Sequence, residues 1–172
     1  IEKTLNKYNI DPDKPIILQV SRFDYLKDPV GVIQAFKIVK KNISCQLILA
    51  GGTASDDPES DKVLQEVKEI AAGDPDISIL LLPPDADLEI NALQRAAKVV
   101  IQKSIKEGFG LTVTEALWKG KTVVASAVGG ILLQVKDKLT GLLCHSVEGA
   151  AYAIRTVLTN PDYGKWLGEN GR

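Results

Sequence analysis

The segment EGFGLTVTE, residues 107 to 115, sets two carboxylates around a turn, Glu107 and Glu115, with seven residues between them. Gly108 and Gly110 let a backbone wrap closely around a ligand. The N–H groups of Phe109, Gly110 and Leu111 are then open to phosphate or sugar oxygens. Carboxylates accept hydrogen bonds from vicinal hydroxyls, of which sugars and riboses are built. The same letters also fit helix capping. In TVTE, Thr112 can serve as N-cap and Glu115 can reach back to the Thr112 N–H. Local sequence leaves both readings open.

A second set of charges follows the run PIILQV. The stretch SRFDYLKDP carries Arg22 and Lys27 in a loop that leads to a helix. Anions favour helix N-termini, and an Arg fork with a Lys point charge suits a diphosphate. Two solvated loop cations are the plain alternative. At the end of CQLILAG, the pair Gly51 and Gly52 precedes Thr53 and would let a ligand approach the backbone. The acidic triplets DPD (11–13 and 74–76) and DAD (85–87) read as polar turns. His145 is the only histidine, and Cys45 and Cys144 lie in apolar runs, where they read as small buried hydrophobes. These residues build neither a zinc site nor a Ser-His-Asp or Cys-His centre, so no metal and no cofactor is expected.

The elements that must hold these residues alternate between two periods. Runs of strand length are PIILQV, CQLILAG, ISILLL, KVVIQKS, TVVASA and TGLLC. Most are apolar throughout, which suits strands covered on both faces. Between them lie amphipathic stretches. Pro29 to Lys41 places Val32, Ile33, Phe36 and Val39 on one face, and Asp61 to Ala72 does so with Val63, Leu64, Val67 and Ile70. Leu88 to Ala97 and Thr112 to Lys119 follow, and Val147 to Gly168 reads as one or two helices broken near Pro161. The alternation predicts an α/β fold with a parallel sheet of about six strands flanked by helices, as one domain over residues 1–172. In such sheets ligands bind beyond the carboxyl ends of the strands, where Arg22, Lys27, Gly51 and Glu107 all fall.

Composition agrees with an ordinary globular chain: 45% hydrophobic and 25% charged residues, with a formal net charge of −1. No basic field invites nucleic acid. No apolar run approaches the roughly 20 residues that span a membrane, and none reads as a signal peptide, so a cytoplasmic location is expected. With no methionine and an abrupt end at GENGR, the chain is expected to be a piece of something longer.

In this order, SRFDYLKD, LILAGG, EGFGLTVTEALWKGKTVVASAVGG and TGLL resemble the nucleotide-sugar domain of the retaining glycosyltransferases of the glycogen-synthase-like superfamily. The resemblance covers nearly the whole chain. Within the superfamily, SIKEGFGLTVTEALWKGK, NALQRA and Gln134 after VGGILL are most similar to the archaeal-type trehalose synthases. The resemblance implies a Rossmann-like domain, the C-terminal half of a GT-B fold. It implies transfer of glucose between a nucleotide diphosphate glucose (ADP-, UDP- or GDP-glucose) and glucose, without a catalytic metal. The acceptor is then held by an N-terminal domain absent from this chain, so the chain alone is expected to be inactive. Arg22 and Lys27 match the pair on the donor diphosphate. Glu107 matches the glutamate on donor-sugar hydroxyls near the reacting carbon. Phe109, Gly110, Leu111 and Thr112 match the turn that holds sugar and phosphate, and Glu115 the glutamate on the ribose. Two positions depart from the pattern: Asp28 and Lys138 stand where glycine is usual. A glycogen- or sucrose-type synthase and a non-catalytic sugar-nucleotide binding module are the alternatives.

Overall fold

Six strands form one parallel sheet in the computed structural model, which describes residues 1–52 and 56–172. They are β1 (Ile16–Val20), β2 (Gln46–Gly51), β3 (Ile77–Leu81), β4 (Val99–Gln102), β5 (Thr122–Ser126) and β6 (Leu142–Cys144). Their order across the sheet is β3-β2-β1-β4-β5-β6. This is the doubly wound Rossmann arrangement, in which chain direction across the sheet reverses between β1 and β4.

The apolar runs are strands because each must fill two cores. Successive side chains point to opposite faces. Ile17, Leu47, Leu49, Val99, Ile101 and Val124 pack on one side. Leu18, Val20, Ile48, Val100, Val123 and Ala125 pack on the other. Helices α2 (Pro29–Lys40), α3 (Pro58–Ala71) and α7 (Val147–Thr159) cover the first face, with Leu167 of α8 (Pro161–Gly171). Helices α1 (Glu2–Lys7), α4 (Asp87–Ala96), α5 (Leu111–Trp118) and α6 (Ile131–Gln134) cover the second. A short 3-10 turn, Tyr25–Lys27, joins β1 to α2.

Strand ends lie within two residues of the sequence expectation. Helix starts differ where a cap sits. Helix α3 opens at Pro58 rather than Asp61, because Asp57 accepts from the Glu59 N–H at 3.0 Å and Pro58 takes the first helical position. The tail breaks at Asn160, just before Pro161, as its sequence predicts. Two helices lacked a periodic signal: α1 buries only Leu5, and α6 has four residues. The DPD segments are Asx turns, with Asp11 accepting from the Asp13 N–H and Asp74 from the Asp76 N–H, each at 2.9 Å. Among the described residues no helix is long and apolar enough to cross a membrane. Thr53 lies outside the described residues.

Candidate active site

The reversal point opens because β1 and β4 pair only at Ile17 with Val99 and Leu18 with Val100. Beyond that, the buried Gln19 spans the gap. Its amide donates to the Lys27 carbonyl and accepts from the Lys103 N–H, both at 2.9 Å. The two loops leaving β1 and β4 therefore begin in fixed register. Between them lies a cleft of about 230 Å³, lined by Ser21, Arg22, Lys27, Gln102, Glu107, Gly110, Leu111 and Thr112 among others.

The floor of the cleft is an ion pair that joins two separately read residues. Lys27 Nζ lies 2.6 Å from Glu107 Oε2, and their side chains are only 18% and 11% exposed. Glu107 is fixed further by a one-way chain of hydrogen bonds. The Thr112 hydroxyl donates to Gln102 Oε1 at 3.0 Å. Gln102 Nε2 donates to the Ser104 hydroxyl at 2.9 Å, and that hydroxyl donates to Glu107 Oε2 at 3.0 Å. Arg22 is different: its side chain is 68% exposed and, among the described residues, pairs only with Asp24, at 3.2 Å. It stands at the margin of the cleft with most of its five donors uncommitted.

The glycine turn starts the helix earlier than the capping reading requires. Gly110 takes a left-handed φ of 85° and is the N-cap of α5, so Leu111 and not Val113 is the first helical residue. Thr112 and Glu115 therefore form no capping box, and no side chain caps this helix. Among the described residues, the N–H groups of Leu111 and Thr112 meet no acceptor, as expected for a first turn. The loop after β5 cradles the turn from outside. A side chain at Gly130 would collide with the Gly108 carbonyl, and the Gly130 N–H donates to the Glu107 carbonyl at 3.1 Å. Gln134 donates to the carbonyls of Phe109 and Gly110 and accepts from the Thr114 hydroxyl. Phe109 and Leu111 are 60% and 62% exposed, outside the core.

Glu115 is not part of the cleft floor. Its carboxylate accepts from Gln94 on α4 at 2.8 Å. Gly51 packs against the chain just beyond β1. A Cβ there would lie 1.8 Å from the Ser21 carbonyl, so the close approach it permits is made by the chain's own backbone. Asp28 does not oppose Lys27. Its carboxylate caps α2 through the Gly31 N–H at 3.1 Å and pairs with Lys103. Sequence reasoning missed Gln19, Gln94, Gln102 and Ser104. For Gln19 and Gln102, a lone glutamine inside an apolar run (IILQV, VVIQ) was the available signal, since a buried amide demands partners.

Other features stand apart from this chemistry. A hollow of about 330 Å³, lined by Lys98, Lys121 and Asp162, lies at the amino ends of β4 and β5, opposite the cleft. Burial pushes the Cys45 thiol up to about 11 and raises that of Cys144 too, so neither is a ready nucleophile. Among the described residues no three His, Cys, Asp or Glu side chains gather as a metal-holding group.

Comparison with known proteins identifies the family and the fold. The profile of the family described as Glycosyl transferases group 1 matches residues 1–172. A trehalose synthase of Rubrobacter xylanophilus is 44% identical over 170 residues, covering 98% of this chain and 41% of that protein. The chain thus spans well under half of that relative's length. The sucrose-phosphate synthase structure from Thermosynechococcus elongatus superposes with a TM-score of 0.81 at 31% identity, over 99% of this chain and 43% of that one. The Anabaena protein HepE, solved in complex with UDP-glucose, has the same fold: TM-score 0.81 at 20% identity, over 99% of this chain and 46% of that one.

Proposed function

We propose that this chain, which belongs to the group 1 glycosyl transferases, is the donor-binding domain of a retaining, metal-independent glucosyltransferase of trehalose metabolism. It binds a nucleotide diphosphate glucose. The glucose acceptor is held by an N-terminal domain outside this chain. The observation that carries the reading is the cleft at the β1–β4 reversal, where the Lys27–Glu107 pair shares its lining with Leu111 and Thr112, whose amides meet no acceptor among the described residues. On donor binding, Lys27 passes from Glu107 to the diphosphate, and Arg22 closes over it. These cations and the α5 N-terminus take up the negative charge that grows as the diphosphate departs. Glu107, released from Lys27 and still held by Ser104, accepts from the hydroxyls of the donor sugar. Glu115 accepts from the ribose hydroxyls.

The trehalose assignment draws on the 44% identity to the Rubrobacter trehalose synthase. A sucrose-type synthase is the second reading, supported by the 31% identity to the sucrose-phosphate synthase structure. Calorimetric titration with ADP-, UDP- and GDP-glucose tests the donor role. Arg22→Ala and Lys27→Ala should each weaken binding by about 1.5–3 kcal/mol, the worth of a charge-assisted hydrogen bond. Unchanged affinity in both variants removes the phosphate assignment. The isolated chain should form no trehalose from nucleotide-glucose and glucose, because both reactants must be held together. The full-length enzyme should do so with EDTA present.

A further inference from the structure

We propose that Gln94 is a positioning residue that, locked by Lys119, holds the Glu115 carboxylate in the orientation that reads the ribose of the donor. This rests on the ribose role given to Glu115 above.

The argument begins with a contact that is missing. Glu115 and Lys119 are four residues apart at the end of α5, with the glutamate N-terminal to the lysine, the favoured arrangement for an ion pair on a helix. No such pair forms. Gln94 of α4, only 1% exposed, stands between them instead. Lys119 Nζ donates to Gln94 Oε1 at 2.8 Å, and Gln94 Nε2 donates to Glu115 Oε2 at 2.8 Å. The amide's orientation follows from its partners. An ammonium only donates and an ionised carboxylate only accepts, so the oxygen must face Lys119 and the nitrogen must face Glu115. A reversed amide would set donor against donor at one end and acceptor against acceptor at the other.

The consequence is directional. A direct pair with Lys119 would draw the carboxylate down the helix and spend it on a cation. The interposed amide commits Oε2 to the buried side and keeps the lysine charge at a distance, and among the described residues Oε1 accepts no hydrogen bond. Two vicinal hydroxyls need an acceptor held at one fixed place. A freely rotating glutamate on a helix face does not provide it.

The readout is the ratio of affinities for UDP-glucose and ADP-glucose over their 2′-deoxyribose counterparts, measured by calorimetry on the 172-residue chain. The ratio cancels any general loss of folded protein, since both donors meet the same variant. The wild type should prefer the ribose donors by roughly ten- to a hundredfold, the worth of a hydrogen bond to a charged group. Glu115→Ala should bring the ratio close to one. Gln94→Met, which keeps the bulk and removes the amide, should bring it most of the way there. Lys119→Met frees the amide to turn over and should give an intermediate ratio, and it carries the test if Gln94→Met fails to fold. If the wild type and Glu115→Ala discriminate equally, the ribose role of Glu115 is wrong and the proposal goes with it. If Glu115→Ala loses discrimination while Gln94→Met, or Lys119→Met in its place, retains the full ratio, the ribose role stands and the Gln94 proposal is overturned.

Discussion

Replacing Gly130 by alanine should move the turn that carries Glu107 and damage donor binding out of proportion to its size. An ideal Cβ at Gly130 would lie 2.2 Å from the Gly108 carbonyl oxygen, 2.7 Å from Phe109 Cα and 2.8 Å from the Phe109 oxygen. All three are backbone atoms, so no rotamer relieves the clash. To reach 3.0 Å, below which Cβ contacts are essentially never seen, the Gly108 carbonyl must retreat by about 0.8 Å. The same shift strains the hydrogen bond from the Gly130 N–H to the Glu107 carbonyl. Overpacking of this kind costs about 1–3 kcal/mol, which for a chain of this length lowers Tm by roughly 2–12 °C.

Function should suffer more. Binding constellations tolerate roughly 0.5 Å of displacement, and a shift near 1 Å can cost about a hundredfold. Thermal melting and calorimetric titration with nucleotide-glucose measure the two effects side by side. Gly108→Ala is the stability control. A Cβ there meets nothing within 4 Å, so this variant should melt with the wild type. A Gly130→Ala protein that melts normally and binds donor normally would refute the claim that the loop after β5 sets the position of the glycine turn.

Lys27→Met should strand the poorly exposed Glu107 and cost about 1–3 kcal/mol in denaturant unfolding. Adding Glu107→Gln should recover part of that loss, and strictly additive losses would show that the pair is not coupled. Acid should weaken the chain through Asp76, whose carboxyl is held below the usual range by hydrogen bonds from Lys14 and Lys40. A lowered carboxyl pKa contributes stability above the ordinary value of about 3.9 and loses it as pH falls through the folded value. Stability measured between pH 5 and 2 should therefore fall less steeply in Lys14→Met/Lys40→Met than in the wild type, and an identical slope counts against the assignment. Asp28→Gly should cost about 1–3 kcal/mol, because it strands the poorly exposed Lys103, although glycine is a tolerable N-cap and relaxes the left-handed φ of 46°. Donor affinity should fall, because the crossing that holds the two loops is lost with it, and a tenfold gain would mean that the Asp28 carboxylate does oppose the diphosphate.

What could be read from the sequence divides along a physical line. Strands and most helices were legible because burial on two faces or one face leaves a period, as Ile17 and Leu18 show by entering opposite cores. Residues placed by the end of a strand, such as Arg22, Lys27 and Glu107, were legible as candidates for the same reason. Their partners were not. Lys27 and Glu107 lie 80 residues apart and meet only because β4 inserts beside β1. Gln94 and Glu115 meet because α4 and α5 cover the same face of the sheet, and no local pattern encodes that. TVTE spelled a capping box, yet the left-handed Gly110 began the helix two residues too early for it to form. The glycine at 51 invited a ligand, and the space it opens is filled by the carbonyl of Ser21.

Asp28 shows how a departure from a pattern is absorbed. By charge alone, a carboxylate next to a lysine proposed to hold a diphosphate is a defect. In the structure the β1 loop presents Lys27 and then Asp28, and the β4 loop presents Lys103 and then Glu107. Lys27 meets Glu107 and Asp28 meets Lys103, so two opposed ion pairs cross the same gap. Each loop contributes one cation and one anion, and the four charges cancel. A diphosphate that draws Lys27 away from Glu107 breaks one crossing and leaves the other intact, with the Gln19 amide bridging beneath it. The loops would therefore keep their spacing if a donor, bound as proposed, disturbed the pair between them. An aspartate can do this at position 28 where glycine could only turn the chain, because among side chains it tolerates the left-handed conformation and still carries an acceptor for both the helix N-terminus and Lys103.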